Sequence, residues 1–469
     1  MKIIRTVSAA ILLLLSFSPS LFSQPEEPAT PDDYLTSQFH ANRRAALRNL
    51  MPENSVAIFF SAPERNRSND VDFSFSQDPN FYYLSGLKEP NSLLLICKNK
   101  IKIGNTTSNE FIFVQERNPS QEMWTGELLG TEGVKKSLGF EAVFLNKVFD
   151  TIQIKFAELR KISIIDPVDL SSEPTSARGS LGYLVEQTKL KLAGLEGKID
   201  RLDIGKWMTA LRVIKQPEEI ALLQKAIDIS CKGHLELMRA VHPGMQEYQA
   251  QAVMEYFFKE GGSEYPGYPS IVGSGKNSCI LHYETNNKKM FVNELVLADC
   301  GAEYHGYSAD VTRTMPVNGK FSDEQRAIYQ LVYDAQLAGI NSCKPGNYFF
   351  EPHKAAAEVI MNGLIKLGIT TSKEEYKNYF THFTSHFLGL NVHDVGLFGK
   401  LETGNVLTVE PGIYIPEGSP CDKKWWNIGV RIEDDILITE NGNKVMSDSA
   451  PKAIAEIEKV IAEKSMFEK

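Results

Sequence analysis

Apolar positions along the chain fall into two regimes. From 32 to 200, a helix-like spacing over Tyr34 to Leu50 leads into the strand-like run Ser55-Val-Ala-Ile-Phe-Phe. A loop rich in Asn, Ser and Asp follows, then Phe81-Tyr-Tyr-Leu, and further apolar runs at Ser92–Ile96, Glu110–Val114 and Ile162–Ile165. Short apolar runs alternating with helical patterns predict a mixed α/β domain with crossover helices. Gly194-Leu-Glu-Gly197 and the segment from Asp203 to Leu211 read as a connection between domains.

From 205 to 466 the pattern repeats itself. A helix from Pro217 to Ala240, with proline in its first turn, stops at His242-Pro243-Gly244, and a second helix runs to Gly261-Gly262. A capping box at Ser322-x-x-Gln325 opens another helix that stops at Lys344-Pro345-Gly346, and its partner runs to Gly368. Each pair is followed by a strand ending in a carboxylate, Asp299 in the first half and Glu410 in the second. Two similar halves facing each other would bring both carboxylates to one centre.

Composition adds a leader. Lys2 and Arg5 precede an apolar run from Val7 to Phe17, and Ser20-Leu21-Phe22-Ser23 offers a small-residue cleavage site before Gln24. Residues 1–23 therefore read as a signal peptide, with an uncleaved anchor as the alternative. The run is short for a membrane span, and no cysteine follows it to carry a lipid. An exported protein, periplasmic or secreted, without stable membrane association after cleavage, is expected. Pro25 to Pro31 reads as a loose spacer. The formal charge of −9, more negative once the leader is lost, argues against nucleic acid as a partner. Six scattered cysteines without a Cys-x-x-Cys do not make a disulfide framework, though one bridge in an oxidising compartment stays open.

The chemistry lies in acids placed where apolar strands would bury something else: Glu-Leu-Val-Leu-Ala-Asp299, Tyr-Ser-Ala-Asp310-Val-Thr-Arg-Thr, Val-Leu-Thr-Val-Glu410-Pro-Gly and Gly-Val-Arg-Ile-Glu433. With His386 they form four carboxylates and one imidazole, and only Arg313 and Arg431 lie near in sequence to neutralise them. Buried carboxylates need a counter-charge or a metal, and this donor set suits two divalent cations with two bridging carboxylates. A metal pair about 3.5–4 Å apart acidifies a shared water and polarises a carbonyl. Strand parity puts Leu295, Leu297 and Asp299 on one face, Val406, Thr408 and Glu410 on another, and Arg431 with Glu433 on a third. That is the layout of a hydrolase.

These motifs, with Ser-His386-Phe-Leu-Gly-Leu-Asn-Val-His393-Asp, resemble the pita-bread metallopeptidases. Ala62-Pro-Glu-x-x-x-Arg67-Ser, Asp78-x-x-Phe81-Tyr-Tyr-Leu-Ser-Gly86, Trp124-x-Gly, Ile271-Val-Gly-Ser-Gly-Lys-Asn and Ile280-Leu-His282-Tyr are similar to aminopeptidase P. The resemblance implies a creatinase-like N-terminal α/β domain before a catalytic domain with a pseudo-two-fold duplication. It implies two metals, most often Mn²⁺, held by Asp299, Asp310, His386, Glu410 and Glu433, with Asp310 and Glu433 bridging. His282, His382 and His393 would line the substrate site. Arg431 would support the ligands, and Tyr414 and Trp124 would be further substrate contacts, Trp124 from a Gly-flanked loop. Glu410 would serve as acid/base, and His393 and His282 would stabilise the oxyanion. The substrates implied are peptides with proline in the second position, cleaved after the first residue, and the assembly a homodimer or homotetramer. Cys300 departs from the family's usual small residue and suggests sensitivity to oxidation; the loop from Glu417 to Asn427 has no close match. An Xaa-Pro dipeptidase (prolidase) is the runner-up, a methionine aminopeptidase fits less well, and a non-catalytic peptide-binding pita-bread module is the alternative of another class.

Overall fold

The computed structural model describes residues 33–171 and 173–467; the leader and the spacer lie outside them. The N-terminal part is built on a six-stranded mixed sheet ordered Val143–Leu145, Thr106–Val114, Leu93–Ile103, Ser55–Phe60, Lys161–Ile164, Ile199–Asp200. Ser55–Phe60 runs antiparallel to Leu93–Ile103 and parallel to Lys161–Ile164. The unbroken apolar runs have a simple cause: both faces of this sheet are covered. Val56, Ile58 and Phe60 enter one core with Leu181, Leu184 and Val185 of the helix Leu181–Leu192. Ala57 and Phe59 enter the other with Phe39 and Leu47 of the helix Ser37–Leu50. Each Val, Leu, Ile or Phe side chain so removed from water contributes about 1.5–3 kcal/mol. Phe81-Tyr-Tyr-Leu, grouped by sequence with the strand-like runs, is helical instead: Asp78 caps the helix Pro79–Ser85 by accepting from the Phe81 amide at 2.8 Å, and Gly86 ends it with φ 72°.

The second part opens with the expected helix pairs, Pro217–Ala240 with Glu247–Glu260 and Asp323–Ser342 with Glu351–Lys366. Ser322 and Gln325 form the capping box read from sequence. Each pair is followed by a three-stranded antiparallel sheet. The first is ordered Ile271–Ser274, Leu295–Asp299, Thr312–Pro316; the second Val406–Val409, Asp434–Thr439, Gly442–Val445. A hairpin of Gly412–Ile415 and Ile428–Arg431 lies between them. The edge strand Thr312–Pro316 of the first sheet is tied to the second half: the Glu433 amide, just before Asp434–Thr439, donates to Thr312 O at 3.1 Å, and Thr314 Oγ1 donates to Arg431 O of the hairpin at 2.9 Å. The region between the parts is not a loose linker, because Asp203–Arg212 is helical and buries Ile204, Met208 and Arg212. Among the described residues no helix is long and apolar enough to cross a membrane.

Candidate metal centre

Backbone pairing brings the acids together before any side chain does. Asp299 is paired in register with Thr312, and the Cys300 amide donates to Val311 O at 3.2 Å, so Asp310 sits across from Asp299. The Glu433 bond to Thr312 O adds the third acid, from the segment between Ile428–Arg431 and Asp434–Thr439. On the far side, the Thr408 amide donates to His386 O at 3.0 Å and the Glu410 amide to Thr384 O at 2.9 Å, which sets His386 beside Glu410.

The side chains then converge. Asp310, His386 and Glu433 each offer one ligand atom, all within 4.8 Å of one another. His386 Nε2 lies 3.2 Å from Asp310 Oδ2 and 3.6 Å from Glu410 Oε1. Its Nδ1 stands 3.1 Å from Phe387 O, where only an N–H is satisfied, so Nε2 carries the lone pair facing the acids. Arg431 donates to Asp299 Oδ2 at 2.6 Å and to Tyr414 Oη at 2.8 Å. Arg313, the other nearby cation, is turned away: its guanidinium is spent on Asp434 at 2.8 Å and on the carbonyls of Thr312, Glu433, Ser447, Ala450 and Pro451.

Charge therefore accumulates without compensation. Burial first, then Asp299 and Glu410, pushes the Asp310 carboxyl far above its usual range. Burial and the neighbouring Asp310 and Asp299 do the same to Glu433. Glu410 is pushed up to about 8 by burial and by Glu433. Only Asp299 stays low: burial would raise it, but Arg431 and Tyr268 more than offset that. Three carboxylates with raised pKa values, Asp310 and Glu433 buried and Glu410 half-buried, around one imidazole fit divalent cations in charge, donor type and spacing.

The other residues singled out in the sequence divide into groups. His282, His382 and His393 line the same cavity as the acids, with Arg431 in its wall. Among the described hydrogen bonds neither His282 nor His393 spends a ring nitrogen on a protein partner. The His393 ring packs edge-on against His386 at 4.4 Å, and burial followed by the nearby imidazoles His386 and His282 lowers its pKa. His382 is fully engaged: its Nδ1 meets Phe383 O at 2.8 Å, so its Nε2 accepts the Tyr414 hydroxyl at 2.8 Å. Tyr414 lies behind the wall, closing a relay from Arg431 to His382. Trp124 is not in a loop and does not line this cavity; it is 88% exposed on the helix Pro119–Thr125. Cys300 is fully buried, and burial with Asp299 raises its thiol well above the ordinary value, which argues against the sensitivity to oxidation read from the sequence. All six cysteines are free. In the loop from Glu417 to Asn427, Trp425 is buried and Trp426 donates to Ser419 O at 3.0 Å, so the tryptophans pin the loop to itself and to the core.

Three contributors were not read from the sequence. Tyr268 Oη lies 2.5 Å from Asp299 Oδ1 and 2.6 Å from Asp310 Oδ1, holding the two carboxylates in one geometry. Nothing in Tyr-Pro-Gly-Tyr268-Pro marks it except its place just before the strand Ile271–Ser274. Thr312 donates to Glu433 Oε2 at 2.6 Å and shares strand parity with Asp310, a signal that was available. Asp435 is buried and accepts from the Asp310 amide at 3.2 Å.

Comparisons with known proteins agree with this geometry. The profile of metallopeptidase family M24 matches residues 221–440, and that of the aminopeptidase P N-terminal domain matches residues 40–164. The Xaa-Pro aminopeptidase of Escherichia coli (strain K12) is 34% identical over 443 residues, 90% of this chain and 97% of that protein. That of Haemophilus influenzae is 35% identical over 437 residues, again 90% and 97%. Among solved structures, proline aminopeptidase P II from Yersinia pestis matches with a TM-score of 0.83 at 34% identity, covering 91% of this chain and 100% of that one. A substrate complex of E. coli aminopeptidase P carrying a glutamate-to-alanine replacement matches with a TM-score of 0.81 at 33% identity, covering 91% and 98%. With full-length relatives at this identity and matching profiles for both parts, the chain belongs to metallopeptidase family M24, its pita-bread catalytic domain preceded by an aminopeptidase P N-terminal domain.

Proposed function

We infer that this protein is a metal-dependent Xaa-Pro aminopeptidase, removing the first residue from peptides with proline in the second position. The observation that carries the reading is the convergence of Asp299, Asp310, His386, Glu410 and Glu433 on one cavity, with His282 and His393 in its wall. Two divalent cations, Mn²⁺ as the ion the family uses most, would acidify a water and polarise the scissile carbonyl. Arg431 and Tyr268 hold Asp299 ionised and aimed, and Thr312 aims Glu433 through its hydrogen bond. Glu410 is placed to pass a proton to the leaving nitrogen, which in an Xaa-Pro bond is a tertiary amide without N–H and needs that proton to depart. His393 and His282, with ring nitrogens free for substrate, donate to the oxyanion as it forms. His382 is committed to Tyr414 and the Phe383 carbonyl, and acts as wall and brace.

The N-terminal likeness to aminopeptidase P favours this reading over prolidase. An open cavity that grips the N-terminus and the proline lets the chain beyond extend outward, and binding energy from those residues raises kcat/KM. Xaa-Pro-Xaa tripeptides are expected to be cut faster than Xaa-Pro dipeptides, with only the first residue released and Ala in the second position poorly accepted. A dipeptide preferred tenfold, a gap of about 1.4 kcal/mol, would move the assignment to prolidase.

The leader supports export, with a mature N-terminus near Gln24. N-terminal sequencing of protein from its native host tests this, and an intact Met1 in the cytoplasmic fraction contradicts it. The family likeness supports a homodimer or homotetramer. The exposed Trp124 would then reach substrate only from a neighbouring subunit.

A further inference from the structure

The residue after His393 is the centre of a buried ion cluster that the chemistry above does not use. Asp394 pairs with the guanidinium of Arg212 through Oδ1 and with Lys215 Nζ at 3.0 Å through Oδ2. The three side chains are 1–3% exposed. Burial opposes ionisation of Asp394, but Lys215 and Arg212 outweigh it and keep the carboxyl below its usual range. Two cations and one anion in the interior are a weak source of stability, since each must be stripped of water. Their arrangement is better explained by position.

The cluster fixes the turn that carries His393. The Asp394 amide donates to Phe387 O at 2.8 Å, folding the segment from His386 back on itself. Gly389 leaves the space for this: a Cβ there would stand 2.2 Å from Asp394 Oδ2 and 3.0 Å from Lys215 Cε. Both cations come from the junction between the helices Asp203–Arg212 and Pro217–Ala240, and Lys215 is itself anchored by its amide to Gly404 O at 2.9 Å. Arg212 also reaches across to the N-terminal part, donating to Asn80 Oδ1 at 2.7 Å on the helix Pro79–Ser85. A continuous set of polar contacts thus runs from Asn80 through Arg212 and Asp394 to the backbone of His393.

We propose that Asp394 is a positioning residue for His393, and that Arg212 and Asn80 make the N-terminal part of the chain a member of that support. The inference rests on the reading of His393 as a donor to the oxyanion. A displacement of about 1 Å in such a donor is enough to cost on the order of a hundredfold in rate.

A double-mutant cycle on the full, Mn²⁺-loaded chain separates this from a general structural role. Asp394→Asn is expected to lower kcat about 10–100-fold, the range for lost outer-shell support, with KM and bound metal unchanged. In a His393→Ala background the same change is expected to cost less than about threefold, because the group it positions is gone. Arg212→Lys and Asn80→Ala disturb the cluster without leaving a carboxylate vacancy. They should show the same pattern in smaller degree, and they carry the test should Asp394→Asn fail to fold. Equal losses in both backgrounds, or losses that track metal content, overturn the proposal. A His393→Ala enzyme with wild-type kcat instead overturns the role given to His393, and the two failures are distinguishable.

Discussion

Tyr268 shows how much one hydroxyl can decide at the residue scale. It has one proton and two short contacts, to Asp299 and to Asp310, and the proton that burial and the neighbouring acids keep on Asp310 supplies the second hydrogen bond. A cation between the acids would take the place of that proton. Tyr268→Phe removes the brace and leaves the ring, and metal affinity is expected to fall about 10–100-fold with the fold intact. Calorimetric titration with Mn²⁺ reads this directly; unchanged affinity would show that the acids organise themselves. The ligands separate from the oxyanion donors in the same way. Asp310→Ala and Glu410→Ala should abolish turnover and lower metal occupancy, whereas His393→Ala should keep its metal and lose kcat, as elemental analysis beside steady-state kinetics would reveal.

The elements set limits as sharp as the side chains do. Gly301 follows Asp299 and Cys300, and a Cβ at that position would stand 1.9 Å from the Ala309 carbonyl and 3.1 Å from Tyr268 Cε1. Gly301→Ala therefore forces apart the backbone segments that carry Asp299 and Asp310. It is expected to cost about 1–3 kcal/mol as overpacking and to reduce bound metal. Gly197→Ala, in open space with no positive φ, should do neither; a Gly301→Ala protein with native Tm and full metal would count against the tight hairpin. Much of this architecture was legible beforehand because it follows local rules. Pro217 and the Ser322–Gln325 box mark helix starts, the Pro-Gly pairs mark helix ends, and acids in apolar strands have few structural alternatives. What was not legible depends on contacts distant in sequence. Phe81-Tyr-Tyr-Leu looks strand-like until the Asp78 cap is seen, and Tyr268 and Asp394 are ordinary residues until the fold supplies their partners. Arg313 lies beside the ligands in sequence, yet its charge is spent elsewhere.

For the whole molecule, the acids make stability, pH and metal one coupled problem. In the metal-free fold Glu410 is raised from the ordinary 4.5 to about 8 by burial and by Glu433, only partly offset by His386 and Arg431. Asp310 and Glu433 are likewise raised, chiefly by burial and by neighbouring acids. A carboxyl with a raised pKa holds a proton in the folded chain that the unfolded chain has released. Its contribution to stability is therefore present below pH 4.5 and is lost as pH climbs through about 8. Cations replace those protons, so binding and folding free energy are linked and the linkage strengthens where the protons would otherwise be lost. Adding Mn²⁺ to chelator-stripped protein is expected to raise Tm little near about pH 5 and progressively more toward pH 8. Taking the metal-induced gain, rather than Tm itself, cancels other groups that titrate in this window, such as Glu219 and Glu303, each raised to about 7 by burial. Glu410→Gln cannot release its proton and should flatten the trend. A gain that is uniform across this range, or larger on the acid side, would mean that the buried acids are neutralised by something other than the metal.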